Sequence, residues 1–280
     1  MQKLHFISGL PRSGSTLLAG LLRQNPRFAA AMTGPVGGLV GALLNAMSPQ
    51  NETAVFLDEA RRQAILRAVF EAYYAGQPEK AVVFDTNRMW TARLPLIAAL
   101  YPEARVLACV RSVAWIMDSF ERLVRRNAFE PSRLFATAEE RATVYSRTEA
   151  LGHRDRVVGA AFSALKEAYY GEHSHRLLLI DYDILTRKPE ACLRLVYRFL
   201  GEEWHPHDFD NVDYDAPEFD GPLGAPGLHR VAGPVRAEPR ATVLPPDLFA
   251  RYDQLTFWND PAGTSAWRIA REAAGAGGPP

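Results

Sequence analysis

The 280-residue chain carries no net charge, because 32 Lys and Arg are cancelled by 32 Asp and Glu. A chain so balanced offers no broad electrostatic footprint to nucleic acid or to a membrane surface, so any anion must be bound by a few placed groups. Cysteine is nearly absent. Cys109 and Cys192 each sit inside an apolar stretch, which reads as buried thiols and not as a disulfide framework. No apolar run approaches the roughly 18–20 residues needed to span a bilayer, and the N-terminus enters a strand pattern with no signal-peptide character. These absences predict a soluble protein of a reducing, cytoplasmic compartment. Metal-ligand spacing is missing as well. "HSH" (173–175) and "HPH" (205–207) are isolated pairs, and neither HExxH nor paired CxxC occurs. Oligomeric state is not encoded in any of this, and a homodimer stays open.

What is present is apolar patterning, at 48% hydrophobic content, enough to bury a substantial core. Four short, nearly continuous apolar runs read as strands buried on both faces: Leu4 to Ile7, "AVVF" (81–84), "RVLACV" (105–110) and "RLLLI" (176–180). Between them lie helical patterns at 57–75, 114–126, 157–171 and 189–201, the last with Pro189 near its start and Gly201 past its end. Such alternation implies βαβ units with right-handed crossovers. The fold class expected is α/β, a three-layer P-loop-type parallel sheet flanked by helices. Residues 1–270 are expected to form a single domain, with 271–280 as a disordered tail. The stretch 205–227, rich in Asp, Pro and Gly, has neither period and reads as a long ordered loop.

The sharpest local signal is "GLPRSGST", which follows the first strand and opens a helix. A strand, a tight glycine turn and a helix N-terminus together aim backbone N–H groups at one point, where the helix dipole also favours negative charge. Gly9 and Gly14 permit close backbone approach, and Ser13, Ser15 and Thr16 add hydroxyls. A nucleoside triphosphatase would carry a lysine where Ser15 stands. Arg12 is the loop's cation instead, and its fork suits bidentate recognition of an anion without a bridging metal.

"GLPRSGSTLL" resembles the 5′-phosphosulfate loop of the sulfotransferases that use 3′-phosphoadenosine 5′-phosphosulfate (PAPS). "RVLACVRSVAWIMDSF" resembles the same family's 3′-phosphate segment, in which an arginine ends a strand and a serine follows eight residues later. Arg111 and Ser119 have that spacing. "LLLIDYDILTRKPEACLRLVYRFLGEEW" is similar to the region whose tyrosine, here Tyr182, lies near the nucleotide. "GLHRVAGPVRAEPRATVLPPDLFARYDQLTFW" is similar to the C-terminal segment of bacterial members related to the tyrosylprotein branch. The chain departs from the family in having Ser112 after the 3′-phosphate arginine. It departs from the tyrosylprotein branch in having no carboxylate between Arg12 and Glu52, and in lacking a strand-end lysine, where it reads "VVFDTNRMW".

The resemblance implies metal-free, in-line transfer of a sulfuryl group from PAPS to an acceptor hydroxyl or amine, leaving adenosine 3′,5′-bisphosphate. Arg12, Ser13, Gly14, Ser15 and Thr16 would hold the 5′ end and stabilise developing charge. Arg111, Ser119, Tyr182 and Arg240 would hold the rest of the nucleotide, with Arg236 another C-terminal cation. Asp85, at the carboxyl end of its strand, is the expected base, with Arg88 as its electrophilic partner and His229 as a second candidate base. A structural Asp85–Arg88 pair is the plain alternative. The uncharged stretch 29–47 reads either as a pocket wall for a small, partly apolar acceptor or as an ordinary core helix. In the pair Tyr73–Tyr74, one ring should face the core. Two competing functions stand beside this one. "AVVFD" and "LLLID" resemble the magnesium-holding strands of a P-loop kinase or triphosphatase, and a catalytically dead nucleotide-binding module has the same loop.

Overall fold

The computed structural model describes residues 2–127, 129 and 132–269. The expected tail, 271–280, lies outside the described residues. Among the described residues there are eight strands: β1 (Lys3–Gly9), β2 (Phe28–Ala30), β3 (Val82–Thr86), β4 (Val106–Val110), β5 (Leu177–Asp181), β6 (Val212–Tyr214), β7 (Val231–Gly233) and β8 (Trp267–Ile269). The helices are α1 (Ser15–Leu22), α2 (Val36–Ala46), α3 (Glu59–Tyr74), α4 (Leu94–Leu100), α5 (Val113–Arg126) and α6 (Ala138–Ala142). They continue with α7 (Val144–Gly152), α8 (Gly159–Tyr170), α9 (Tyr182–Arg187), α10 (Pro189–Leu200), α11 (Pro217–Asp220) and α12 (Pro246–Asp253).

Six strands form one parallel sheet in the order β2-β3-β1-β4-β5-β8. From β1 the chain crosses to the far edge at β2, returns to β3 beside β1, and then crosses to the other side to build β4, β5 and β8 in turn. That reversal leaves a crevice beyond the carboxyl ends of β1, β3 and β4, where open α/β sheets bind their ligands.

Alternation along each strand explains the two-sided burial. Phe6, Val106, Ala108, Leu177 and Leu179 enter the core layer shared with α3, α5 and α8. Their neighbours Ile7, Leu107, Cys109, Leu178 and Ile180 enter the opposite layer with α1 and α10. Side chains of period two, apolar at every position, are what a sheet covered on both faces demands. Both cysteines are buried and free.

One sequence expectation is corrected. The stretch 205–227 is not period-free loop throughout: it contains β6 and the single turn α11, and β6 pairs antiparallel with β7. This small ribbon packs on α1, where a Cβ at Gly20 would lie 3.3 Å from Val212. The short edge strands β2 and β8 also had no sequence expectation, because three residues are too few to set a period. Of the tyrosine pair, Tyr74 packs against the core and Tyr73 remains 46% exposed.

Two histidines are folded in their neutral form. His5 on β1 accepts the Arg105 N–H at its Nδ1 (3.1 Å), and its Nε2 is buried without a partner. His207 has its Nε2 3.0 Å from the Tyr197 hydroxyl. Burial pushes both down from 6.5 to about 4. A depressed histidine pKa means that the unfolded chain binds the proton more readily, so stability rises with pH across this window. Stability should therefore be level above pH 6.5 and fall steadily as pH drops from 6.5 towards 4. Urea midpoints measured across that range check this, and His5→Gln should flatten part of the slope.

Candidate active site

The crevice has a volume of about 820 Å³, large enough for a nucleotide and a second small molecule. Its floor is the loop between β1 and α1. Gly9 ends β1 at φ 105, and a Cβ there would lie 2.2 Å from the Cys109 carbonyl oxygen, so only glycine lets β1 and β4 close up at this point. Gly14 caps α1 at φ 98, with no side-chain cap to occupy the first-turn amides. Its missing Cβ would lie 2.8 Å from Cδ2 of Tyr182, so the loop and the Tyr182 ring are in direct contact. Ser15 and Thr16 line the crevice. Ser13 does not: it is fully buried, and its hydroxyl is shared between the carbonyls of Leu10 and Cys109 (2.9 Å to the latter). The expectation that the Ser13 hydroxyl faces a ligand is corrected, since that hydroxyl holds the turn closed.

Arg12 adopts φ 55, a left-handed conformation rare outside glycine. Its side chain explains how that geometry is held. Nε donates to Ser119 Oγ at 3.0 Å and Nη1 donates to the Leu228 carbonyl. The loop arginine thus bonds directly to the serine on α5. Arg111, immediately after β4, lies with its guanidinium 4.2 Å from the centre of the Tyr182 ring. Its Nε is buried and has no hydrogen-bond partner. Among the described residues neither arginine forms an ion pair with a carboxylate. Burial lowers the pKa of both below the usual arginine range, Arg12 to about 10, with the charge of Arg111 a lesser cause for Arg12 and that of Arg240 for Arg111. Neutral pH still leaves both charged, and two partly buried cations that no carboxylate pairs with directly favour an anion in the crevice.

Arg240 reaches the same crevice from the C-terminal segment, 5.3 Å from the Trp115 ring. It is held by Asp118, which is fully buried on α5. Asp118 accepts hydrogen bonds from Arg122 (2.9 Å), Thr242 (3.0 Å) and the Val243 amide (2.7 Å), and pairs with Arg240 at 2.8 Å. This buried acid fastens residues 240–243 across α5. Arg236 lies at the rim, paired with Glu238 at 3.2 Å. Asp118 was not singled out in the sequence. The only signal was an acid four residues before Arg122, a spacing common on solvated helices.

Asp85 is placed otherwise than expected. It is fully buried, and its carboxylate accepts the Tyr74 hydroxyl (2.8 Å) and the Trp90 indole N–H (2.8 Å). Burial raises its pKa, and it does not line the crevice. Nor is it paired with Arg88, for the salt bridges among the described residues do not include those two. Arg88 itself lines the crevice, with its pKa lowered by burial. His229 also lines it, with Nδ1 2.6 Å from Oδ1 of the buried Asp220. Of residues 29–47, only Thr33 reaches the crevice, and the buried face of α2 (Val36, Gly37, Val40) belongs to the core.

The sequence profile of the Sulfotransferase family matches residues 5–206, from β1 to six residues past α10, and the crevice-lining residues from Phe219 to Arg240 follow the matched span. This chain belongs to the sulfotransferase family. Nodulation protein NoeE of Sinorhizobium fredii is 26% identical over 215 residues, which is 70% of this chain. The match spans about half (49%) of that relative's length. The fold is similar to a sulfotransferase domain from the curacin biosynthetic pathway, with a TM-score of 0.50 and 17% identity over 91% of this chain and 92% of that one. It is also similar to a sulfotransferase from Alicyclobacillus acidocaldarius, with a TM-score of 0.51 and 14% identity over 89% and 88% of the two chains. At these identities the structural likeness is one of fold.

Removing the Asp118 carboxylate should free the 240–243 segment. Asp118→Ala is expected to lower stability by about 2–4 kcal/mol in urea denaturation, since it strands hydrogen-bond donors that are partly buried.

Proposed function

We propose that this sulfotransferase takes its sulfuryl group from PAPS and delivers it to the hydroxyl of a small, partly apolar acceptor. The observation that carries the reading is the pair of buried guanidiniums, Arg12 and Arg111, left without carboxylate partners over one glycine cradle. The residues present fit that nucleotide. First-turn amides of α1, with Ser15 and Thr16, and the Arg12 fork suit its 5′ end. The orphaned Arg111 Nε, Ser119 and the tethered Arg240 suit its 3′-phosphate, and Tyr182 offers an aromatic face close by. When bound, PAPS supplies the activated sulfuryl group. The chain's part is to orient that group, to set N–H and guanidinium donors where negative charge develops, and to remove the acceptor's proton. With Asp85 sealed by Tyr74 and Trp90, we assign the base to His229. Arg88 adds positive charge from the β3 side. Two buried free thiols agree with a reaction in a reducing, cytoplasmic compartment.

The kinase reading is less well supported. Asp85 is spent on Tyr74 and Trp90, and Asp181 caps α9 by accepting the N–H groups of Asp183 (2.7 Å) and Ile184 (3.4 Å). Both strand-end carboxylates that could have held magnesium are engaged within the fold.

Thermal-shift measurement separates the two functions. Adenosine 3′,5′-bisphosphate should stabilise the protein, and the gain should survive EDTA. Stabilisation by ATP with magnesium alone would sink the proposal. Arg111→Ala should weaken bisphosphate binding by about 1.5–3 kcal/mol, the worth of a charged hydrogen bond, as read by calorimetry. Arg12→Ala should abolish sulfuryl transfer in a radiolabel assay, and a near-normal rate would remove Arg12 from the chemistry. A folded chain that binds bisphosphate yet sulfates no member of a hydroxyl and amine panel would point to a dead binding module.

A further inference from the structure

If the crevice transfers sulfuryl groups, a second cluster on its wall specifies the acceptor side. The excursion between β6 and β7 carries Asp220 and His229. Asp220 is fully buried, yet both of its oxygens are given to one residue. Oδ1 lies 2.6 Å from His229 Nδ1, and Oδ2 accepts the His229 backbone N–H at 2.8 Å. A carboxylate only accepts, so Nδ1 carries the proton, and in the neutral ring this tautomer leaves Nε2 as the proton acceptor. Phe219 steadies the ring from the side, with centroids 5.4 Å apart at 74°. The imidazole lines the crevice at 14% side-chain exposure, next in sequence to Leu228, whose carbonyl Arg12 grips.

We infer that Asp220 is a positioning residue that holds His229 as a base, and that its acceptor is an apolar alcohol lodged against Phe219, Leu223, Leu228 and Leu134. Leu134, Leu223 and Leu228 belong to a small apolar cluster that Leu134 links to the main core, and each lines the crevice. Phe219 is 42% exposed there, an apolar surface awaiting cover. A neutral alcohol can lie against this apolar wall without the desolvation that an ammonium would suffer there. In the step itself, the acceptor oxygen bonds to the sulfuryl sulfur as the sulfur's bond to the 5′-phosphate oxygen breaks. The electron pair of that bond leaves with adenosine 3′,5′-bisphosphate, and the hydroxyl proton passes to Nε2. Asp220 then stabilises the imidazolium until solvent takes the proton.

The test uses the full chain, with adenosine 3′,5′-bisphosphate binding followed in every variant as a gauge of folding and donor-site integrity. Nitrogen NMR of His229 should report a bare Nε2. Asp220→Asn should shift that tautomer and lower kcat by about 100-fold or more, with bisphosphate affinity retained. His229→Ala should lose turnover and regain part of it with added imidazole. For straight-chain alcohols, kcat/KM should climb roughly fourfold per added methylene, the gain from burying one such group. Leu223→Asn should flatten that climb by raising KM for the longer alcohols. Full turnover in Asp220→Asn or His229→Ala overturns the base assignment, and a flat chain-length response or a preference for monosaccharides overturns the acceptor class. Wild-type protein that fails to bind bisphosphate overturns the donor reading beneath both.

Discussion

Two guanidiniums, Arg12 and Arg111, are partly buried in one crevice above a glycine turn, and much of the crevice is arranged around keeping them there. Burial opposes both charges, Arg111 opposes that of Arg12, and Arg240 opposes that of Arg111. What compensates is a set of neutral contacts: the Ser119 hydroxyl and the Leu228 carbonyl for Arg12, and the Tyr182 ring for Arg111. These contacts position the charges without neutralising them, so the attraction for an incoming anion is preserved. The left-handed backbone at Arg12 is sustained in the same way, by bonds at the far end of its side chain.

Two buried acids play parallel structural parts. Asp118 on α5 ties down residues 240–243 and so fixes Arg240 near Trp115. Asp220 ties down residue 229 and orients its imidazole. In both cases a carboxylate removed from water is satisfied by a backbone N–H and a side chain from a segment with no regular structure of its own. Such a segment buries too little apolar surface to order itself, so hydrogen bonds to a buried charge take over that work. The β6–β7 ribbon helps by seating on α1, the helix that begins at the cradle. The excursion that carries His229 and the glycine turn after β1 are thereby built on a common support.

The four main strands and the long helices were legible from the chain alone, because uninterrupted apolar runs and helical periods are local properties. The glycine cradle was legible too, since Gly9 and Gly14 satisfy backbone demands within a few residues of each other. The acceptor side was misjudged for a physical reason. Asp85 ends a strand at the right edge, but sequence does not tell which way a strand-end side chain faces. Tyr74, eleven residues earlier on α3, and Trp90 close over it on the core side. Ser13 turned inward likewise, towards Cys109 on a neighbouring strand.

By itself the sequence determined the sheet, its two-layer burial and the kind of anion cradle at the end of β1, since each is written in near-neighbour pattern. Tertiary structure alone decided which charges would be left unpaired and which would be sealed. Arg12 meets Ser119 across 107 residues, and Asp118 meets Val243 across 125. Whether a buried charge becomes a structural tie or a reactive group depends on what the fold brings to face it, and no local pattern records that.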